Sequence, residues 1–467
     1  MLESKLKFLL KSLLFLLPWQ TIWIYKEGIL NGVKWQYGTL GFYATEILLW
    51  LCAVLFLIWY LKKIKLRVTD YKGTLIPISH RDELRITKEK IFLASLLIFL
   101  LYALASKYWA LDMLVAEQSS LRLMEATILF LLILVGPLNF RESTIYFIAG
   151  AAVQSLLGIW QFLTQTTFAY KWLGLASHPV FEAGTSIISN TDGRWLRAYG
   201  AFPHPNILGG YLVISLILTT LLFLKSDKQN LLRVTSYGLL ITLQTTALFF
   251  TFSRSAWLAF GVFIISLTIL KIKNKTNNRQ FLSLISYLLS LTILLSILFF
   301  PLVQTRFSQN SNNEIISTSE RISGVEEAWQ IISAKPLLGV GAGNYTLAAY
   351  QLNPARPGWE YQPVHNVFLL IFAELGIIGA VLLLLTILSI ISHLLSLNKN
   401  TAPYILCLIS YVFLLTFDHY LFSTYAGLLI STVYLGILAK NDNPNLESSR
   451  FRFIGIEDPR FVQNKSG

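Results

Sequence analysis

With 467 residues, 54% hydrophobic and only 13% charged, the chain is too apolar for an ordinary soluble domain, in which about a quarter of residues carry charge. A net charge of +13 would suit nucleic acid in a soluble protein; among long apolar runs it asks instead which side of a membrane holds the positive residues. Cys52 and Cys407, the two cysteines, both lie inside apolar runs, which excludes a disulfide framework and a cysteine-based metal site.

A helix needs about 20 mainly apolar residues to cross hydrocarbon. Twelve runs predict spans, near 7–25, 40–60, 91–109, 121–137, 143–163, 206–224, 234–252, 255–272, 281–303, 366–393, 403–418 and 421–439. The first, in "MLESKLKFLLKSLLFLLPWQTIWIY", starts positive but has no small-residue cleavage site, so it reads as an uncleaved span. Most of the 38 Lys and Arg gather at 62–90, 226–233, 271–279 and from Lys440 onward. Positive residues stay on the cytoplasmic side, so both termini are expected there. The fold class is all-α and polytopic, with residues 1–439 as one membrane domain and 440–467 as a polar, disordered tail.

Two outer connections, about 164–205 and 305–363, are too long to be turns. The second carries Ile322, Val325, Ala328, Trp329 and Ile332 at helical spacing, which predicts an amphipathic helix at the membrane surface. Its "GVGAGNY" lacks the Lys-Ser/Thr of a phosphate loop and reads as tight turns. No His-x-Glu-x-His pattern and no outer Asp-x-Asp pair occur, so no metal and no cofactor are expected.

The unusual polar residues collect at the outer level. Arg197 precedes the sixth span, and Arg254 stands in the tight junction between the seventh and eighth. Arg321 lies in the large connection, His365 and Asn366 head the tenth span, and Asp418 and His419 separate the last two. Taken alone, Arg254 would be a snorkelling helix-end arginine, and His365 an idle interfacial histidine. In "HPN", Asn206 stands where an N-cap belongs, and His204 reads as a residue at the helix start rather than a ligand. Glu374, inside the tenth span, is expected to be structural or supporting. Arginine pairs with phosphate through a planar fork, and histidine is the usual base near neutral pH. Together they suit metal-free transfer from a lipid diphosphate to a hydroxyl.

The arginine followed by "YGAFPHPNILGGYL", the "TFSRSAWLAF" block, and "PLLGVGAGNY" with "HNVFLLIFAELGIIGA" resemble the O-antigen ligase and polymerase family of bacterial membrane glycosyltransferases. The resemblance spans roughly 190–385. It implies a multi-span, GT-C-like fold with a large periplasmic loop, in the inner (plasma) membrane. It also implies metal-free, inverting transfer of a glycan from undecaprenyl diphosphate to an acceptor. That acceptor would be a lipid or surface glycan, lipid A-core if the host has an outer membrane. By the same resemblance Arg197 and Arg254 match diphosphate-holding arginines and His365 the catalytic histidine. Asp418 matches a functional acid near the last outer turn, and Arg321 a loop arginine. The outer connection has no extra domain of the kind protein-glycosylating relatives carry, which argues against a protein acceptor. Three readings stay open: a ligase, a polymerase that lengthens the carrier-linked glycan, and a transporter or flippase for it.

Overall fold

The structure, a computed structural model, describes residues 1–69, 80–190, 193–227, 230–274, 279–308, 312–397 and 402–440. The tail from 441, and parts of the positive connections near 62–90, 226–233 and 271–279, lie outside the described residues.

The chain is a helix bundle in which each expected apolar run coincides, over most or part of its length, with a helix. Its first half holds α1 (Leu2–Leu16), α2 (Ala44–Thr69), α3 (His80–Ala105), α4 (Met113–Val135), α5 (Phe140–Thr164), α6 (Pro205–Leu224), α7 (Leu231–Phe250) and α8 (Arg254–Lys273). The second half holds α9 (Arg279–Leu298), α10 (Phe300–Ser308), α11 (Asn312–Ala334), α12 (Tyr345–Leu352), α13 (Val367–Leu397), α14 (Ala402–Phe417), α15 (Tyr420–Ser423) and α16 (Tyr425–Ala439). Among the described residues eight helices are long and apolar enough to cross a membrane, and α14 and α16 are shorter apolar helices.

Three expectations need correction. The first apolar run does not continue to residue 25: α1 stops at Leu16, before Pro18, which cannot donate to a helical turn. The chain then turns into β1 (Ile22–Lys26), β2 (Ile29–Leu30), β3 (Val33–Lys34) and β4 (Leu40–Tyr43), with β1 pairing β4 and β2 pairing β3 antiparallel. The connection 164–205 likewise contains an antiparallel hairpin, β5 (Ile187–Asn190) and β6 (Gly193–Leu196). In α11 the buried residues are Ala328, Ile331 and Ile332, while Ile322, Val325 and Trp329 are exposed, so the predicted stripe is split between two faces.

Helix α6 is the hub. It has no charged residue over 20 positions and nearly all of it is buried. Gly210 sits where a Cβ would lie 2.0 Å from the Tyr420 hydroxyl, so only glycine lets α15 pack this close. That approach sets Asp418 beside the start of α6.

Helix α13 is broken at Gly376 (φ 65°, ψ −172°). A break exposes backbone groups that must find partners inside a membrane. The glycine-rich segment supplies them: Ile377 N–H donates to Pro336 O (2.9 Å), Val340 N–H to Ala373 O (3.0 Å) and Gly341 N–H to Glu374 O (2.8 Å). The Glu374 carboxyl lies near the backbone N–H groups of Gly343 and Tyr345. Gly341, at φ 95°, lies where a Cβ would meet Ala110 at 2.3 Å. The tight turns read from "GVGAGNY" are therefore a plug that heals a broken helix, and Glu374 latches it.

Candidate active site

Arg197 is delivered by β6. Ala198 N–H donates to Phe250 O (2.9 Å), which pins the strand's end against the α7–α8 junction. Two glutamines on α5 hold the next turn: Gln161 Oε1 accepts from Tyr199 N–H (3.1 Å) and Gly200 N–H (2.8 Å), and Gln154 Oε1 from Ala201 N–H (2.7 Å). Arg197 is buried, with Nε donating to Thr251 O (2.7 Å) and Nη2 to Asn206 Oδ1 (2.7 Å).

Asn206 is not the N-cap of α6. His204 holds that position, its Nδ1 accepting from Asn206 N–H (3.1 Å) while Nε2 lies 2.7 Å from Ser186 Oγ. Pro205 explains the difference. Proline favours the first helical position, which places the cap one residue earlier and Asn206 inside the first turn. Freed from capping, Asn206 donates from Nδ2 to Asp418 Oδ2 (2.9 Å). Sequence reasoning missed this role, and the Pro205 position was the signal that could have revealed it.

Asp418 is 3% exposed and its other oxygen, Oδ1, lies 3.1 Å from His365 Nδ1 and 3.0 Å from His419 N. Burial alone would raise its pKa. The charge and hydrogen bond of His365, with His419 and Arg321, override burial and hold the carboxyl well below the ordinary range. An ionised Asp418 only accepts, so His365 Nδ1 is the donor in this bond and Nε2 is the ring nitrogen left outside it. Arg321, half-buried on α11, contributes by its field.

His419 stacks obliquely near His365, ring centres 5.1 Å apart, and its Nδ1 lies 2.6 Å from Ser423 Oγ. Burial first, then the His365 charge, push its pKa down to about 3, so it stays neutral. Asn366 caps α13: its Oδ1 accepts from Leu369 N–H (3.0 Å) and its Nδ2 donates to Thr416 O (3.1 Å). It fixes the helix that His365 precedes. His365, Asp418 and His419 also carry donor atoms all within 4.8 Å of one another, close enough to share a metal ion.

Arg254 is the first residue of α8, half-buried, with Nη1 donating to Arg306 O at 3.4 Å. The turn before it is strained: Phe252 has φ 47°. Buried Arg306 braces that turn, donating to Phe252 O from Nε (3.1 Å) and Nη2 (2.8 Å). Arg306 was not foreseen. It lies 52 residues from Arg254, and only the fold brings α10 to that junction.

The structure thus joins Arg197, Asn206, Asp418, His365 and His419 in one hydrogen-bonded and ring-contact network, with Arg321 acting on it through space. Arg254 stands on the same α7–α8 junction that Arg197 grips through Thr251. Residues 238–384 match the O-antigen ligase family. The matched segment runs from within α7 into α13 and contains Arg254, Arg306, Arg321, His365 and Asn366; Arg197, Asp418 and His419 lie outside it. No curated protein matches the chain. The family match and the apolar helices support a membrane enzyme of the O-antigen ligase and polymerase type, active in polysaccharide biosynthesis.

Proposed function

We propose that the chain is a ligase that moves a glycan from undecaprenyl diphosphate to an acceptor hydroxyl, at the outer face of the inner membrane and with both termini in the cytoplasm. The acceptor is a lipid or surface glycan, lipid A-core in a host with an outer membrane. The observation that carries the reading is the buried carboxylate of Asp418 set against His365 Nδ1.

In this mechanism His365 Nε2 takes the proton of the acceptor hydroxyl as its oxygen attacks the anomeric carbon. The bond from that carbon to the carrier diphosphate breaks, with inversion, and the electron pair leaves on the diphosphate. Asp418 keeps the imidazole in the productive tautomer and stabilises the imidazolium that forms, the service an acid renders in other base-orienting pairs. Arg254 meets the leaving diphosphate. A cation at the first position of a helix opposes the helix dipole, and a bound anion removes that cost. Arg197, its guanidinium bound inward, adds field to the diphosphate and positions Asp418 through Asn206.

A metal is not needed for this route. Asp418 Oδ1 already accepts from two groups, and His419 Nδ1 is engaged with Ser423. The test is reconstituted protein supplied with carrier-linked glycan and glycolipid, both extracted from a strain lacking the gene. Transfer that releases undecaprenyl diphosphate, persists in EDTA and vanishes in Arg254→Ala supports the reading. EDTA-sensitive transfer restored by a divalent ion would replace it with a metal-centred one.

A further inference from the structure

A cavity of about 550 Å³ lies beside this network, between the strands of residues 22–43, the turn at 174–178, the segment 342–363 and α15–α16. None of the residues of the network lines it, yet it touches the network at two points. Ser423, on its wall, bonds His419 Nδ1, and the ring of Tyr37, also on its wall, meets the His419 ring edge-on at 6.2 Å.

The order of contacts gives the cavity a place. From the α7–α8 junction, where Arg254 and Arg306 stand, side chains connect through Arg197, Asn206 and Asp418 to His365 and His419. From His419 they continue to Ser423, Tyr37 and the cavity. The arginine-lined junction and the cavity are therefore connected through one network of contacts that includes His365. A site that the base's own network reaches is a candidate to hold one of its two substrates.

The lining has the chemistry of a sugar site. Tyr37, Tyr43, Trp359 and Tyr361 present aromatic surface to the apolar C–H face of a pyranose, and Gln36 and Ser119 offer hydroxyl partners. Arg122 is set among them, about 5.6 Å above the Tyr43 ring, and its buried Nε has no hydrogen-bond partner among the described residues. Such a donor is costly to leave unmade. Two buried carboxylates, Glu46 and Glu125, lie within electrostatic reach of Arg122, and Glu125 Oε1 also accepts from Trp50 Nε1 (2.7 Å). The cavity lining itself carries Arg122 and Lys34 as donors among these aromatic and amide groups.

We propose that this cavity is the acceptor subsite, that it takes a terminal sugar ring of the acceptor, and that Arg122 donates to that ring's hydroxyls. The inference rests on the transferase reading above.

Two variants test it. Arg122→Gln removes the donor fork, and Ala176→Trp, at an exposed position on the rim, fills the mouth with an indole without touching the network. Glycolipid from the deletion strain is titrated at fixed carrier-linked glycan, and binding of labelled undecaprenyl diphosphate is measured separately. Both variants should raise the KM for glycolipid about tenfold or more while carrier binding stays within about twofold. Unchanged KM in Ala176→Trp, with normal transfer by the intact protein, would overturn the acceptor subsite alone. Loss of carrier binding instead would assign the cavity to the donor. An intact protein that neither transfers nor binds the carrier would remove the transferase reading and this inference with it.

Discussion

Asn206 joins Asp418 through a 2.9 Å hydrogen bond from Nδ2 to Oδ2, and its Oδ1 accepts from Arg197 Nη2 at 2.7 Å. One amide thus links a buried cation to a buried anion, and the orientation of each depends on it. Hydrogen bonds to charged groups contribute about 1.5–3 kcal/mol apiece.

Asn206→Ala should therefore leave the protein inserted but lower transfer by about a hundredfold, through misplacement of Asp418 and His365. Asn206→Asp should be at least as damaging, because it sets a second acid against Asp418. Initial rates at saturating substrates measure both; wild-type rates in Asn206→Ala would mean the bridge does not position the site.

Arg306 holds the strained Phe252 turn that ends in Arg254. Arg306→Gln should weaken binding of undecaprenyl diphosphate about tenfold or more, with a smaller change in acceptor KM. Binding to labelled carrier in nanodiscs reports this directly, and equal effects on both substrates would point to general misfolding.

His204 should make stability pH-dependent. Burial, then the nearby Arg197 charge, push its pKa from 6.5 to about 3. Above pH 6.5 the ring is neutral in both folded and unfolded chains, and its contribution to stability is fully present. As pH falls from 6.5 toward 3 the unfolded chain takes up a proton that the folded one refuses, so stability is lost across that window. His419, depressed in the same way, adds to the loss. Melting temperature should fall on acidification, and His204→Asn, which keeps a capping oxygen but cannot titrate, should flatten part of that fall.

Gly376→Ala should destabilise the fold by about 2 kcal/mol or more, since φ 65° disfavours a side chain and the added Cβ would lie 2.2 Å from Leu337 O. Thermal unfolding in detergent checks it. An unchanged melting temperature would show that the break in α13 is not under this constraint.

Much of the bundle was legible because apolar runs in a membrane protein are long and unambiguous. The strands after Pro18 were not, since "TIWIYKEGIL" is as apolar as a span end and short hairpins carry little periodic signal. In α11 the helix itself was readable, but its buried face was not: Ile331 packs inward beside Ala328 and Ile332, while Trp329 points out, a choice made by the partner helices. At the site, residue types and their shared level pointed to Arg254, His365 and Asp418. The bonds that join them did not. Asn206 was assigned to capping because asparagine favours it, and Pro205 decided otherwise. Arg306 looks like any arginine in a long connection until α10 is placed against Phe252.

The most direct test of the central claim is to delete the gene, restore it intact or as His365→Ala, and analyse the glycans left on the lipid carrier. With His365→Ala, inserted at normal levels, long polymers should accumulate on undecaprenyl diphosphate while the acceptor stays bare, as in the deletion. Single repeat units in the deletion strain would instead make the chain a polymerase. A His365→Ala strain indistinguishable from the intact one would contradict the catalytic role of His365 whichever activity the deletion revealed.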